Sequence, residues 1–373
     1  MNKLKVIHIF HELKFSGAEI MYVDAAKLFQ EKNVELTALA TGPNLGEYAP
    51  YFKDAGYSVL HIAAPCLKHY IARIGFYIKL VRLLKQGGYD VVHIHSSRLR
   101  WGGALCAWIA GLRSVYTFHN VFPTKKITYL YHLFLRWSAK CIFKCKFQTI
   151  SDSVYDHEKN FYHNNTTKIY NWYNCNRFFP VLVNEKDKVR QELGIAKDAL
   201  VLVSVGGCSP VKQHSEIIKA MPLILLHNPN CMYLHLGQGV SEYEEVNLAV
   251  ELGVDKNIQF YGNQPDVRKF LIASDIYIMP SKFEGIPITT IEAMGCGIPS
   301  ILYDVPGLRD FNKNGNNSLL ITEDYKVLAE KVVFLDSSPQ VSIDIATSAK
   351  SFVDKNFNMK TNALKVLELY TSK

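Results

Sequence analysis

No apolar run in this 373-residue chain reaches the ~18 positions of a membrane-span candidate, and mean hydropathy is −0.01. The opening residues 1–12 pass from a short apolar run into His11-Glu12, which predicts a buried first strand and not a signal peptide. Cys-x-x-Cys spacing is absent, and the eight cysteines are scattered. In a chain this rich in core residues they are expected to be reduced thiols of a cytoplasmic protein, not a disulfide framework. The missing Asp-x-Asp pair argues against a metal-dependent diphosphate site. The missing Gly-x-Ser-x-Gly elbow removes the commonest α/β-hydrolase signal. Neither a Walker loop nor the Gly-x-Gly-x-x-Gly dinucleotide fingerprint occurs, which makes a dehydrogenase remote. Internal repeats and low-complexity tracts are lacking too.

What is present is alternation. Candidate strands fall at 6–10, 35–40, 58–62, 91–95, 114–117 and 147–150, with helical stretches near 18–31, 69–86, 99–110 and 127–144. A second series starts at 200–205 and continues at 233–236, 258–261, 276–279 and 300–302. Its helices fall near 212–225, 241–252, 266–273, 287–294 and 325–334. The pattern predicts an α/β protein with parallel sheets covered by helices on both faces. Two series in this length predict two doubly wound, Rossmann-like domains, not one barrel. The expected first domain is 1–173, the linker 174–198 and the second domain 199–355. The linker holds Pro180 and the charged run Asn184-Glu185-Lys186-Asp187-Lys188.

Charge is uneven. Residues 1–172 carry 22 Lys+Arg against 11 Asp+Glu, and residues 173–373 carry 20 against 23. A basic first half is drawn to anionic membranes or phosphate-bearing acceptors. Nucleic acid fits the charge as well, but no binding module supports it. Residues 67–86 interleave Lys68, Arg73, Lys79, Arg82 and Lys85 with Tyr, Phe, Ile and Leu. Residues 125–146 do so with Lys125, Lys126, Arg136, Lys140, Lys144 and Lys146. Each stretch is a candidate interfacial helix, or an ordinary core helix with a solvated face.

The densest chemistry lies between residues 283 and 299. Glu284 and Glu292, with seven residues between them, flank Gly285-Ile286-Pro287-Ile288. Pro287 suits the first position of a helix because it has no N–H to leave unpaired. The free N–H groups of that first turn form an anion site beside Glu284, with Glu292 further in. A hydroxyl-binding carboxylate beside a phosphate cradle is what a nucleotide sugar requires. Gly206, Gly207 and Lys212 follow a strand and precede a helix, where backbone and lysine can approach a phosphate. Gly237-Gln238-Gly239 and Gly262-Asn263-Gln264 also follow strands, so all these loops and Glu284 are expected to line one crevice. In the first half, Gly17 follows the first strand and allows close approach of a ligand. His119 follows a strand at 114–117 and can donate to a phosphate or hydroxyl. His93 and His95 point to one face of a strand, with no third metal ligand apparent.

Together these residues resemble family 4 of the retaining glycosyltransferases, which have the GT-B fold. The resemblance spans nearly the whole chain. Besides Glu284–Glu292 it rests on Ser16-Gly17-Ala18-Glu19, Asp90-Val91-Val92-His93-Ile94-His95, Thr117-Phe118-His119 and Ile169-Tyr170-Asn171. It continues through 205–214, 236–239, Phe260-Tyr261-Gly262 and Ala273-Ser274-Asp275. The resemblance implies a cleft between two Rossmann-like domains, with the donor held mainly by the second. By position, Glu284 would contact hydroxyls of the transferred sugar, Glu292 the ribose hydroxyls, and Lys212 the departing diphosphate. Backbone groups of Gly206, Gly207 and of Gly285, Ile286, Pro287 and Ile288 would help at the phosphates or sugar. Gly17 would lie near the diphosphate, His119 would face the sugar, and Gly262 and Asn263 would border the base. The last helix, at 356–373, would return to the first domain. One departure stands out: the family usually has an arginine where this chain has Gly207.

The expected activity is therefore metal-independent and retaining, without a cofactor. A nucleoside-diphosphate sugar donates, and a hydroxyl of a glycan or polyprenyl-linked acceptor attacks, in bacterial surface polysaccharide synthesis on the inner face of the membrane. The alternatives are a nucleotide-sugar epimerase or hydrolase of the same fold, and a catalytically silent binding protein favoured by Gly207.

Overall fold

The computed structural model describes residues 3–372 apart from 67, 122–125, 182 and 314. The chain forms two units, residues 1–172 with 359–373, and residues 173–358. Each is built on one parallel sheet. In the first unit the strands are β1 (Leu4–Phe10), β2 (Val34–Ala40), β3 (Ser58–His61), β4 (Val91–Ile94), β5 (Arg113–Phe118), β6 (Lys146–Thr149) and β7 (Thr167–Lys168), in the order β3-β2-β1-β4-β5-β6-β7. In the second they are β8 (Val201–Val205), β9 (Met232–Leu236), β10 (Ile258–Gly262), β11 (Ile276–Met279), β12 (Ser300–Tyr303) and β13 (Leu319–Ile321), in the order β10-β9-β8-β11-β12-β13. Every residue of β4, β8, β11 and β12 is buried, as continuous apolar runs in two-sided parallel sheets must be. The strand order reverses between β1 and β4 and again between β8 and β11. Loops leaving such neighbours diverge and open a crevice at the strand C-termini.

Three sequence expectations change. Residues 174–198 are not a bare linker: they carry the helix Val183–Glu192, packed on the helix Arg268–Ala273. Two of its cations are tied down. Lys186 Nζ donates to Asp275 Oδ1 at 2.6 Å, and Arg190 donates to Asp275 Oδ2 at 2.7 Å and to the Ala273 carbonyl at 2.9 Å. The units divide after Trp172 and after Asn358. The helix Pro339–Asn356, absent from the sequence reading, buries Ile345, Ala346, Ala349 and Val353 within the second unit.

The last helix, Met359–Thr371, belongs to the first unit and buries Ala363, Val366, Leu369 and Tyr370. Tyr370 Oη meets His93 Nδ1 at 2.5 Å, and Arg113 donates to the Tyr370 carbonyl at 2.7 Å. Lys146, read as part of a basic surface, instead donates to the Leu369 carbonyl at 3.3 Å. Arg136 is a second correction: it is buried, and its guanidinium makes two bonds to Glu158, of 2.8 and 2.6 Å.

Candidate functional site

In the second unit the reversal of strand order sets the loop after β8, with Gly206, Gly207 and Lys212, beside the loop after β11, with Glu284. Across that point Lys212 Nζ donates to Glu284 Oε1 at 2.6 Å. The side chains are 24% and 11% exposed, so a cation and a carboxylate face each other with limited solvent. Gln213, next to Lys212, holds a left-handed backbone (φ 51°, ψ 38°) where the helix His214–His227 begins. Such a conformation in a side-chain-bearing residue costs on the order of 1–3 kcal/mol and is found where a turn must aim a functional group.

The neighbouring loops brace this turn. Gly206 N–H donates to the Leu236 carbonyl at 2.9 Å, and Cys208 N–H to the Gln238 carbonyl at 3.1 Å. Gly237 N–H donates to the Gly262 carbonyl at 2.9 Å, so the loops after β8, β9 and β10 are stitched together. A Cβ on Gly237 would stand 1.9 Å from the Gly206 carbonyl oxygen, so only glycine permits that approach. Buried His214 meets the Gly206 carbonyl at 3.2 Å and Ser204 Oγ at 3.1 Å; burial holds its pKa well below the usual range. The Cys208 thiol is pushed upward by burial, lies 3.9 Å from His235 Nε2, and donates to the Gly237 carbonyl at 3.3 Å. His235 in turn meets Glu245 at 3.0 Å.

Glu284 is fixed from behind. Its N–H donates to the Pro306 carbonyl at 3.0 Å, and a Cβ on Gly307 (φ +85°) would approach the Glu284 carbonyl oxygen to 2.3 Å. Neither Pro306 nor Gly307 figures in the sequence reading, although a Pro-Gly dipeptide marks a turn. Pro287 is a correction. With φ −74° and ψ 126° it caps the helix Ile288–Gly295 from outside, because an extended ψ excludes it from the first turn. Thr289 Oγ1 donates to the Val205 carbonyl at 3.1 Å and ties that helix start to the end of β8. Gly285, Ile286, Pro287 and Ile288 are buried, and Glu292 is buried four residues into the helix. Gly262 closes β10 at φ 61°, and Asn263 after it is exposed.

In the first unit Gly17 opens the helix Gly17–Asp24 behind Ser16, whose hydroxyl donates to Glu19. Burial pushes the Glu19 carboxyl up to about 7. The third imidazole beside His93 and His95, which the spacing did not disclose, is His8 of β1. β1 and β4 pair in register with His8 opposite His93. His119, just after β5, joins the same group through His95 at 3.1 Å. Burial lowers His8 to about 3 and His119 to about 4, and holds His93 and His95 well below the ordinary range.

Residues 15–206 match the family described as Glycosyltransferase Family 4, and residues 185–351 match Glycosyl transferases group 1. The chain is 25% identical over 383 residues to the UDP-Gal:alpha-D-GlcNAc-diphosphoundecaprenol alpha-1,3-galactosyltransferase of Escherichia coli, covering 99% of this chain and 97% of the relative. It is 26% identical to the putative glycosyltransferase EpsD of Bacillus subtilis (strain 168), over 72% of this chain and 73% of the relative. Among solved structures, Anabaena Alr3699/HepE in complex with UDP and glucose superposes with a TM-score of 0.84 at 19% identity, covering 99% of this chain and 100% of that one.

Proposed function

Because this chain belongs to glycosyltransferase family 4, an enzyme family of GT-B fold, we propose that it is a retaining, metal-independent transferase. In this reading it moves a hexose from a nucleoside-diphosphate sugar to a hydroxyl of a lipid-linked glycan in surface polysaccharide synthesis. The observation that carries the reading is the Lys212–Glu284 pair across the strand reversal of the second unit. Lys212 takes the diphosphate and Glu284 the sugar hydroxyls. Glu292 takes the ribose, and the helix start at Ile288 adds backbone N–H groups for the phosphates. Gly206, Gly207 and Gly17 leave room for the diphosphate, Gly262 and Asn263 border the base, and His119 faces the sugar.

The acceptor hydroxyl oxygen bonds to the anomeric carbon as the bond to the diphosphate oxygen breaks. The acceptor proton passes to that departing oxygen. Charge builds on the diphosphate, and Lys212 with the helix-start amides stabilises it. A Cβ at Gly207 would meet the Gln238 carbonyl oxygen at 3.3 Å. The position is thus not closed to a side chain, and its lack of a cation leaves the burden on Lys212. The named activities of the Escherichia coli galactosyltransferase and the UDP-bound Anabaena structure favour a UDP-sugar donor and a polyprenyl-diphosphate-linked acceptor.

The test is a thermal-shift and turnover panel of UDP-, GDP-, ADP- and dTDP-sugars, without and with such acceptors. The expected result is stabilisation by a UDP-sugar, and UDP release only when acceptor is present. Conversion of donor without acceptor would establish an epimerase or hydrolase instead, and stabilisation by no donor would favour a silent protein.

Among the described residues no helix is long and apolar enough to cross a membrane. We further propose that the first unit docks on anionic membrane. The helices Tyr70–Gln86 and Tyr129–Cys141 both pack on Arg100–Ile109. They expose Ile71, Ile74 and Ile78, and Leu130, Phe134 and Trp137, with Trp108 and Ile109 at the end of the middle helix. Exposed Lys79, Arg82, Lys85, Lys140 and Lys144 accompany them. Leu67 and Lys125 lie outside the described residues. Large apolar side chains among cations suit the headgroup boundary. Binding to vesicles containing phosphatidylglycerol is expected at low salt and should weaken as salt rises. Phe134→Glu is expected to reduce it further; no vesicle binding at low salt would remove the proposal.

A further inference from the structure

The imidazole chain where the first sheet reverses has a direction. His8 Nδ1 lies 3.1 Å from His95 Nε2, and His95 Nδ1 lies 3.1 Å from His119 Nε2. Burial keeps all three rings neutral near pH 7. A neutral imidazole has one N–H, so each contact needs one protonated and one bare nitrogen. Two patterns satisfy both contacts. In the first, His8 Nδ1–H donates to His95, His95 Nδ1–H donates to His119, and His119 keeps its own proton on Nδ1. In the second, all three protons sit on Nε2 of His8, Nε2 of His95 and Nε2 of His119, and the bonds run the other way.

The patterns differ at the inner end. His8 Nε2 is buried and has no hydrogen-bond partner among the described residues. The second pattern would bury an N–H there with no acceptor, whereas the first leaves only a bare lone pair. Orphaned buried donors are the rarer and costlier case. His93 does not enter the chain, because both its nitrogens are engaged. Thr117 Oγ1 donates to Gln148 Oε1 at 3.2 Å and therefore accepts from His93 Nε2–H at 2.7 Å, while Tyr370 O–H donates to His93 Nδ1. A metal ion at His8, His93 and His95 would have to displace these bonds.

We propose that His8 and His95 are positioning residues that lock His119 with its proton on Nδ1, so that this ring presents a fixed hydrogen-bond donor to the transferred sugar. The second half rests on the sugar-facing role of His119 proposed above; the tautomer lock itself does not. Among the described residues no protein group is bonded to His119 Nδ1, so that nitrogen is available to a ligand.

Long-range 1H–15N spectra of donor-free, histidine-labelled protein distinguish protonated from bare ring nitrogens. The expected result is a proton on Nδ1 of His119 and a bare Nε2. In His8→Asp the side chain only accepts, so His95 must donate through Nε2, His119 should carry its proton on Nε2, and turnover should fall about tenfold, the scale of one hydrogen bond. His8→Asn places an amide N–H near the lost Nδ1 and should restore both readouts. A proton on Nε2 of His119 in the unaltered protein overturns the proposal, and this spectrum decides even where His8→Asp fails to fold. So does stoichiometric Zn2+ uptake that replaces the His8 and His95 signals, since the cluster would then be a metal site. A tautomer shift in His8→Asp with unchanged turnover overturns the positioning role. If His119→Ala also keeps full turnover while the spectrum is as expected, the sugar-facing reading fails and the tautomer lock stands.

Discussion

Lys212→Ala is expected to lower transfer about 10²–10³-fold, with most of the loss in kcat, which is the scale of removing one preorganised group from a developing anion. A left-handed Gln213 and the stitched glycine turns hold Lys212 at the strand reversal before any ligand arrives. Little reorganisation is then left for the moment when the glycosidic bond breaks. Because Gly207 contributes no second cation, no neighbouring side chain of that loop replaces the lost charge. A loss confined to KM would mean that Lys212 binds ground state and transition state alike, and the leaving-group role would be withdrawn. Lys212→Arg tests geometry against charge: a planar fork on a different stem should recover only part of the rate.

Glu284→Ala is expected to cost about 1.5–3 kcal/mol of transition-state stabilisation, or roughly 10- to 100-fold in kcat/KM, the value of hydrogen bonds to a charged group. The backbone of Glu284 is held by its N–H bond to the Pro306 carbonyl and by the close approach of Gly307 to its carbonyl, so the side chain leaves from a fixed point. Its Oε1 also accepts from Lys212, which couples the two substitutions. The double variant should therefore lose less than the product of the single losses. Turnover unchanged in Glu284→Ala would remove the sugar-binding role and leave the ion pair as a purely structural contact.

Much of the architecture is legible without coordinates. The alternation of apolar runs located eleven of the thirteen strands among the described residues, because a parallel strand buried on both faces must be continuously apolar. The two that escaped, β7 and β13, span two and three residues, too few for any period to register. The helix Pro339–Asn356 is different. Its buried positions 345, 346, 349 and 353 recur at helical spacing, so the signal is present in the chain. Charged stretches are less readable. The run at 184–188 has a linker's composition, yet Asp275, far along the chain, recruits Lys186 and Arg190 and makes it part of the second unit. Likewise Arg136 sits among aromatics as a membrane-facing cation would, but Glu158 turns it inward.

The site divides in the same way. Sequence by itself determined the residue types: two carboxylates around a Gly-x-Pro turn, a lysine after a glycine loop, and a histidine after a strand. Those follow from local backbone rules, because helix starts, tight turns and strand ends are encoded within a few residues. Only the tertiary structure decided which of them meet. Lys212 reaches Glu284 because β8 and β11 are neighbours at the strand reversal. His8 stands opposite His93 because β1 pairs with β4 in register. Strand neighbours are chosen by burial of whole faces across the sheet, a property of the complete chain that no short window of residues contains.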